Sequence, residues 1–428
     1  MDNLKEKLKD LFTEENLRLK KRGQVLWYLL RWTLISVAIG GIIGVIGAGF
    51  FHALSYVTTW RTQYDFLLYL LPVAGLLIAL LYNSASESQK GTNLVIASIR
   101  REGPIPWTMA PLIFISTLLT HLCGGSAGRE GAALQLGGSI AQTVGRVLKL
   151  KDKDVNIITM CGMSACFAAL FSTPLAASVF CIEVVTVGIM HYSALVPCVL
   201  SAVTATYVGS LLGTHPESMH VENMVTSLDP VTVLQVVALG ALCALVSILF
   251  CRAMHTASHL AKKIQNPYLR ILAGSALIIA ITLLLGNRDY NGAGMPIIEL
   301  AVEGHAEPLA FLIKIVLTAI TLGFGFKGGE IVPSFFVGAT FGCVVGPLLG
   351  LDPGFAAALG LAAVFCGVTN CPIATLLLAC ELFGFGGAPY FFLVIAVCYP
   401  LSGYSGLYST QRIAYSKTHT HFVNLKTN

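Results

Sequence analysis

Apolar segments long enough to cross a bilayer, or nearly so, recur along the whole chain, at residues 32–56, 67–82, 194–212, 231–250, 271–285 and 391–401. A spanning helix needs roughly 20 apolar residues, because in hydrocarbon every backbone N–H and C=O must be satisfied within the segment itself. With 428 residues, 55% hydrophobic and 11% charged, the chain has more apolar surface than one soluble core could hide. It reads as an all-α, multi-pass integral membrane protein in contact with the lipid bilayer. Two other apolar stretches, 127–145 and 328–346, are shorter and broken by glycine or proline. Such segments are expected as half-helices buried in protein.

Charge sets the orientation. Lys and Arg cluster in residues 5–22, at Arg100 and Arg101, in 146–153 and in 252–270. Residues 214–231 contain neither, and hold Glu217, Glu222 and Asp229. The positive-inside rule then puts both termini in the cytoplasm. Residues 1–24 carry acids as well as bases and lack an apolar h-region, so they are not a signal peptide. Leu4, Leu8, Leu11 and Phe12 share one helical face, which predicts an amphipathic cytoplasmic helix on the membrane surface. Residues 418–428 read as a short cytoplasmic tail.

The net charge of +5 reports this orientation rather than a nucleic-acid partner. The 12 cysteines lie mostly in apolar stretches without paired spacing and read as small buried hydrophobes. No His/Cys/carboxylate group has metal-ligand spacing, and no GxxxxGK[ST] loop is present. Neither a metal, nor a nucleotide, nor any other cofactor is expected. A membrane-embedded enzyme would need a nucleophile with its base, or metal ligands, and the sequence offers neither.

The chain also resembles itself. Glu130 and Glu330, each after a glycine-containing dipeptide, are followed eight residues later by Gly138 and Gly338, an offset of 200. TPLAASVFCIE, ending at Glu183, matches CPIATLLLACE, ending at Glu381, at an offset of 198. A weaker pair sets Gly91 against Gly292 at 201. Nearly constant offsets argue for duplication, with one half near residues 30–215 and the other near 230–415. In transporters such halves are commonly inverted, and their broken helices meet at a substrate site near the bilayer midplane.

Glu130 opens a glycine-rich helix deep in an apolar region. A carboxylate there costs several kcal/mol unless it is paired, protonatable or functional. The helix N-terminus stabilises any anion, the glutamate's own carboxylate included, so the side chain and a transported anion would compete for one place. The plain alternative is a capping carboxylate neutralised by Arg129. Glu330 repeats the arrangement ahead of Ile331, Val332 and Pro333, where free N–H groups could face an anion. Its plain alternative is a solvent-facing first-turn glutamate. Glu183 and Glu381 are expected to share a structural role, such as bonding to a neighbouring helix end. His121 reads as a satisfied core histidine. Lys327 could pair with a buried carboxylate or snorkel to the interface. Tyr408 could aim its hydroxyl at a central anion, or be an interfacial tyrosine.

From about residue 25 to 417 the chain resembles the CLC family of anion channels and anion/proton antiporters. GREGAALQ is similar to that family's GREGP motif, with Ala132 at the proline; GGEIVP resembles its GxFxP region; GLYST resembles its tyrosine-bearing last helix. The resemblance implies the CLC-type inverted repeat of two halves with broken, partly spanning helices, spanning 25–417. It also implies a homodimer in a bacterial-type inner (plasma) membrane. Three departures point to the fluoride/proton branch: Thr92 and Asn93 where chloride-handling members carry a serine, Glu330 where they carry an apolar residue, and Val184 in place of a second inner glutamate. The resemblance then implies fluoride export in exchange for protons, with Glu130 as gate and proton carrier and Glu330 as a second proton-transfer group. Thr92, Asn93, Ile331, Val332, Phe336 and Tyr408 are implied as the anion site. A chloride channel or chloride/proton exchanger is the alternative.

Overall fold

In the computed structural model the described residues are 2–83, 85, 91–100, 102–215 and 218–427, with side chains described at 23 and from 25 onward. Helix α1 (Asp2–Gln63) carries the N-terminal segment into the first span without a break. Leu4, Leu8, Leu11 and Phe12, and so the expected amphipathic face, lie outside the described side chains, as do Arg101 and Glu217.

Sixteen α-helices follow one another among the described residues, and they fall into two runs of eight. The first comprises α1, α2 (Leu71–Asn83), α3 (Thr92–Ile99), α4 (Met109–Leu122), α5 (Glu130–Val147), α6 (Asp152–Phe171), α7 (Pro174–Glu183) and α8 (Leu195–Leu211). The second comprises α9 (Pro230–Lys262), α10 (Pro267–Leu285), α11 (Met295–Val302), α12 (Ala310–Gly323), α13 (Ile331–Val345), α14 (Pro353–Thr369), α15 (Pro372–Phe383) and α16 (Ala388–Leu401). Six helical segments are long and apolar enough to span a membrane, among them Val25–Gln63, Pro230–Lys262 and Pro267–Leu285. Many of their outward residues are apolar, as lipid contact requires; Leu284 is 86% exposed. All 12 cysteines are buried and unpaired, as their apolar settings predict.

Local sequence explains where the helices start. Asp229, Asn266 and Asp352 each precede a proline, and each side chain accepts a hydrogen bond from a first-turn amide of α9, α10 or α14. Proline at the first helical position loses no hydrogen bond there, and its fixed φ suits the helix. Helices α7 and α15 also begin at a proline, but Thr173 and Cys371 before them supply no side-chain cap. The cap comes from the other helix. Glu183 accepts from the amides of Ile373 (3.2 Å) and Ala374 (2.8 Å), and Glu381 from those of Leu175 (3.0 Å) and Ala176 (2.9 Å). Two equivalent helices whose ends cap each other's beginnings must run antiparallel. The duplication is therefore an inverted one, with a two-fold axis crossing between α7 and α15.

A second reciprocal contact marks the same symmetry. Gly128 and Gly329, just before α5 and α13, exchange both backbone hydrogen bonds at 2.7 Å in an antiparallel bridge. Glycine is required behind it as well: a Cβ at Gly137 would stand 2.1 Å from the carbonyl oxygen of Gly162, and one at Gly338 would stand 2.4 Å from that of Gly360. Close approach of α5 to α6 and of α13 to α14 rests on these pairs.

The structural register of the repeat is thus 201 residues at the site, because Gly128 pairs with Gly329 and α5 and α13 start at 130 and 331. Aligning the two glutamates at 200 is one residue out of step. Arg129 corresponds to Glu330, and Glu130 to Ile331, so the glutamates hold different helical positions.

The chain ends in a small sheet rather than a plain tail. Strand β2 (Arg412–Tyr415) pairs in parallel with β1 (Thr186–Val187), which follows α7, and antiparallel with β3 (Phe422–Lys426). It fastens the segment around Tyr408 to the first half.

Candidate functional site

The bridge between Gly128 and Gly329 brings the beginnings of α5 and α13 together, and the side chains of interest gather around it. Glu130 is the first residue of α5 and is wholly buried. Its Oε2 accepts from its neighbour's amide, Arg129 N, at 3.0 Å and, across the repeat, from Val332 N at 3.3 Å. Val332 is in the first turn of α13, where amides have no intrahelical partner and the helix dipole favours negative charge. The carboxylate therefore occupies an anion position built by the opposite half.

Arg129 Nε stands 3.5 Å from Glu130 Oε1, so the neutralising ion pair of the plain reading is present together with the contact to Val332. The Arg129 guanidinium lies between two rings, 5.3 Å from the centre of Phe51 and 5.4 Å from that of Phe171. This sandwich holds the charge in an apolar setting. His121 is buried, and its Nε2 lies 3.3 Å from the Gly128 carbonyl, as a satisfied core histidine should.

Glu330 is the N-cap residue of α13 and, unlike Glu130, opens onto space. It lines a cavity of about 940 Å³ with Thr92, Asn93, Gln135 and Lys327, whose outer wall includes His255, His259 and Lys262 near the C-terminal end of α9. Gly131 lets the two carboxylate-bearing segments meet: a Cβ there would be 3.0 Å from Gly329 Cα, 3.2 Å from Glu330 Oε2 and 3.5 Å from Thr92 Oγ1. Thr92 accepts from Gln135 Nε2 at 3.1 Å and donates to the Gly131 carbonyl at 3.4 Å. Its hydroxyl, at the head of α3, thus lines the same cavity as Glu330.

Asn93 is engaged differently. Its Oδ1 accepts from Thr410 N (3.1 Å) and Thr410 Oγ1 (3.1 Å), which ties the GLYST segment to α3. Tyr408 in that segment is fully buried, and its hydroxyl has no hydrogen-bond partner among the described residues. A buried hydroxyl seldom stays unpaired without cause. The interfacial reading of Tyr408 is therefore corrected: the segment turns inward and the tyrosine is enclosed by protein. Ile331 and Phe336 are likewise fully buried in α13, with Phe336 one turn beyond Val332 on the same face.

Several contributors carry no signal in the sequence. Gln135 orients Thr92. Gln411 donates to the carbonyls of Val184 (2.9 Å) and Thr369 (2.8 Å), and Asn370 donates to Gln411 Oε1 (3.1 Å) and the Ser405 carbonyl (3.0 Å). Together they fix the Tyr408 segment between the ends of α7 and α14. Among the described residues Lys327 has no carboxylate partner within ion-pair distance; its ammonium lies 4.4 Å from the centre of the Tyr82 ring, on the cavity wall.

The sequence matches the Voltage gated chloride channel family over residues 74–403. It is 37% identical over 404 residues to the chloride/fluoride channel protein of Pseudomonas syringae pv. tomato, covering 92% of this chain and 88% of that one. Over 382 residues it is 26% identical to the H(+)/Cl(-) exchange transporter ClcA of Vibrio cholerae, covering 81% of each. Among solved structures it is similar to a CLC-type fluoride/proton antiporter, with a TM-score of 0.86 at 34% identity, covering 90% of this chain and 98% of that one. It shares its fold with a slow cyanobacterial Cl-/H+ antiporter, with a TM-score of 0.78 at 20% identity, covering 87% and 94%. With two inverted halves, broken helices meeting at their N-termini and a match across most of its length, this chain belongs to the CLC, or voltage gated chloride channel, family of multi-pass membrane transport proteins.

Proposed function

We propose that the protein exports cytoplasmic fluoride in exchange for protons entering the cell. The observation that carries this reading is the Glu130 carboxylate bound to the Val332 amide, where a carboxylate occupies a place fit for a small anion. A hydrogen bond to an ionised acceptor is roughly twice as strong as one between neutral groups. Protonation of Glu130 weakens its hold on that amide, and the anion replaces it. Coupling follows because one carboxylate serves both ions.

Fluoride is small and strongly hydrated, so its site must replace water with close, strong donors. Protonated Glu330 is such a donor, at the inner cavity, beside the hydroxyl of Thr92. Asn93, the amides of Ile331 and Val332, the ring edge of Phe336 and the hydroxyl of Tyr408 complete the path. Relatives named as a chloride/fluoride channel protein and as a fluoride/proton antiporter support fluoride as the anion. The basic end of α9 supports a cavity mouth that opens to the cytoplasm, on the side of both termini, in an inner (plasma) membrane. Each subunit of a homodimer carries its own pathway, and no enzymatic step or cofactor takes part.

The test is anion efflux from proteoliposomes loaded with equal fluoride and chloride, followed with ion-selective electrodes and a pH electrode. Fluoride release with proton uptake and little chloride movement is the expected result. Chloride-dominated release would return the protein to chloride transport.

A further inference from the structure

Lys314 is a cation to which the exchange cycle above gives no task. It lies in α12 and is 0% exposed. An ammonium within a membrane protein needs partners to offset its lost hydration. Its Nζ donates to the carbonyls of Tyr290 (3.0 Å) and Gly292 (2.7 Å). Gly292 and Gly294 adopt φ of +64° and +84°, which curls this loop around the ammonium. The same Nζ stands over the Phe336 ring, 5.0 Å from its centre. Nothing larger than glycine fits at 294, where a Cβ would be 2.6 Å from Phe336 Cδ2 and 3.3 Å from Lys314 Nζ. The Tyr290 ring meets Phe336 at 6.2 Å and an interplanar angle of 62°. Loop, lysine and tyrosine together hold one phenylalanine in place, with a positive charge on its face.

We propose that Lys314 is a positioning residue for anion selectivity that acts through Phe336. An aromatic ring is negative on its faces and positive at its edge. A cation over one face draws π density toward itself and leaves the edge more electropositive, an effect that a low-dielectric interior strengthens. Attraction between a ring edge and an anion falls steeply with distance, so the smaller anion, which approaches closer, gains more. Lys314 thereby raises preference for fluoride over chloride. The proposal rests on the reading of Phe336 as an anion contact.

The experiment uses the full-length protein in proteoliposomes. Apparent fluoride affinity and the fluoride-to-chloride efflux ratio are measured for Lys314→Met, Lys314→Gln, Lys314→Arg, Phe336→Leu and the double variant Lys314→Met with Phe336→Leu. Glutamine keeps an N–H donor on a shorter side chain but carries no charge, and arginine keeps both, so the two variants together separate anchoring from electrostatics and guard against misfolding of the methionine variant. The expected result is a loss of apparent fluoride affinity of roughly three- to tenfold in both neutral variants, with a lower fluoride preference, and recovery in Lys314→Arg. In the Phe336→Leu background, Lys314→Met is expected to add nothing.

A glutamine variant that behaves like the wild type would overturn the proposal in favour of simple anchoring. A full Lys314 effect in the Phe336→Leu background would overturn the route through the ring. If Phe336→Leu itself leaves affinity and selectivity unchanged, Phe336 does not touch the anion, and both that contact and the role of Lys314 fall. A wild-type protein that moves chloride instead would remove the fluoride reading beneath them.

Discussion

Glu183 caps the helix that carries Glu381, and Glu381 caps the helix that carries Glu183. Each carboxylate satisfies two first-turn amides that have no other cap, at 2.8 to 3.2 Å. Replacing either glutamate by alanine removes the acceptor for two first-turn amides, which costs about 1–3 kcal/mol. Thermal unfolding in detergent should show the loss, and the double variant should fall short of the sum because the two caps brace one helix pair. Surviving protein should keep its proton-to-anion ratio. A changed ratio with unchanged stability would move these residues into the proton path.

Glu130→Gln replaces the carboxylate with an amide that cannot carry a proton. Proton uptake coupled to fluoride should disappear, leaving an uncoupled anion leak measurable as fluoride efflux without a pH change. A variant that still moves protons would refute the gate.

Glu330→Gln keeps the shape of the side chain but loses the strong carboxylic donor. Apparent fluoride affinity should weaken about tenfold, with chloride movement little altered. Unchanged proton-coupled fluoride flux would leave Glu330 without a role in transport.

Gly329→Ala tests the bridge rather than the carboxylates. The added Cβ would lie 2.5 Å from Gly131 N, so the loops ahead of α5 and α13 must part. Flux should drop sharply while both glutamates remain, and stability should fall by about 1–3 kcal/mol, the usual range for overpacking.

Glu102, outside the spans, links the end of the chain to the loop between α3 and α4. Its hydrogen bond to Arg100, helped by the charge of Arg412, holds its carboxyl below the usual carboxylate range. A depressed value means that the contribution is present above the ordinary carboxylate range and is lost as pH falls through the lowered one. Protection of the amides of β2 and β3, taken relative to their intrinsic exchange rates, should therefore fall in acid, and Glu102→Gln should flatten that dependence.

Much of this was legible in the sequence where the physics is local. Span length, the proline-led helix starts and the glycines around Glu130 and Glu330 each follow from backbone satisfaction or close packing. The register of the repeat was not: matching glutamate to glutamate pairs identical residues, whereas the fold pairs Gly128 with Gly329. Gln135, Gln411 and Lys314 act on partners remote in sequence or through a loop's carbonyls, and no periodicity announces such contacts. Strand β3 escaped notice because five residues of modest apolarity signal a strand only once β2 is beside them.

That one-residue slip decides more than an alignment. A scaffold of two interchangeable, oppositely directed halves has no inherent sense of forward or backward. By seating one carboxylate as a helix's first residue and the other just before its counterpart, the chain seals the first and leaves the second facing the cavity. Under the proposed exchange cycle, the polarity of transport follows from which of two neighbouring positions each glutamate takes. Exchanging Arg129 with Glu130 would be an attempt to erase it.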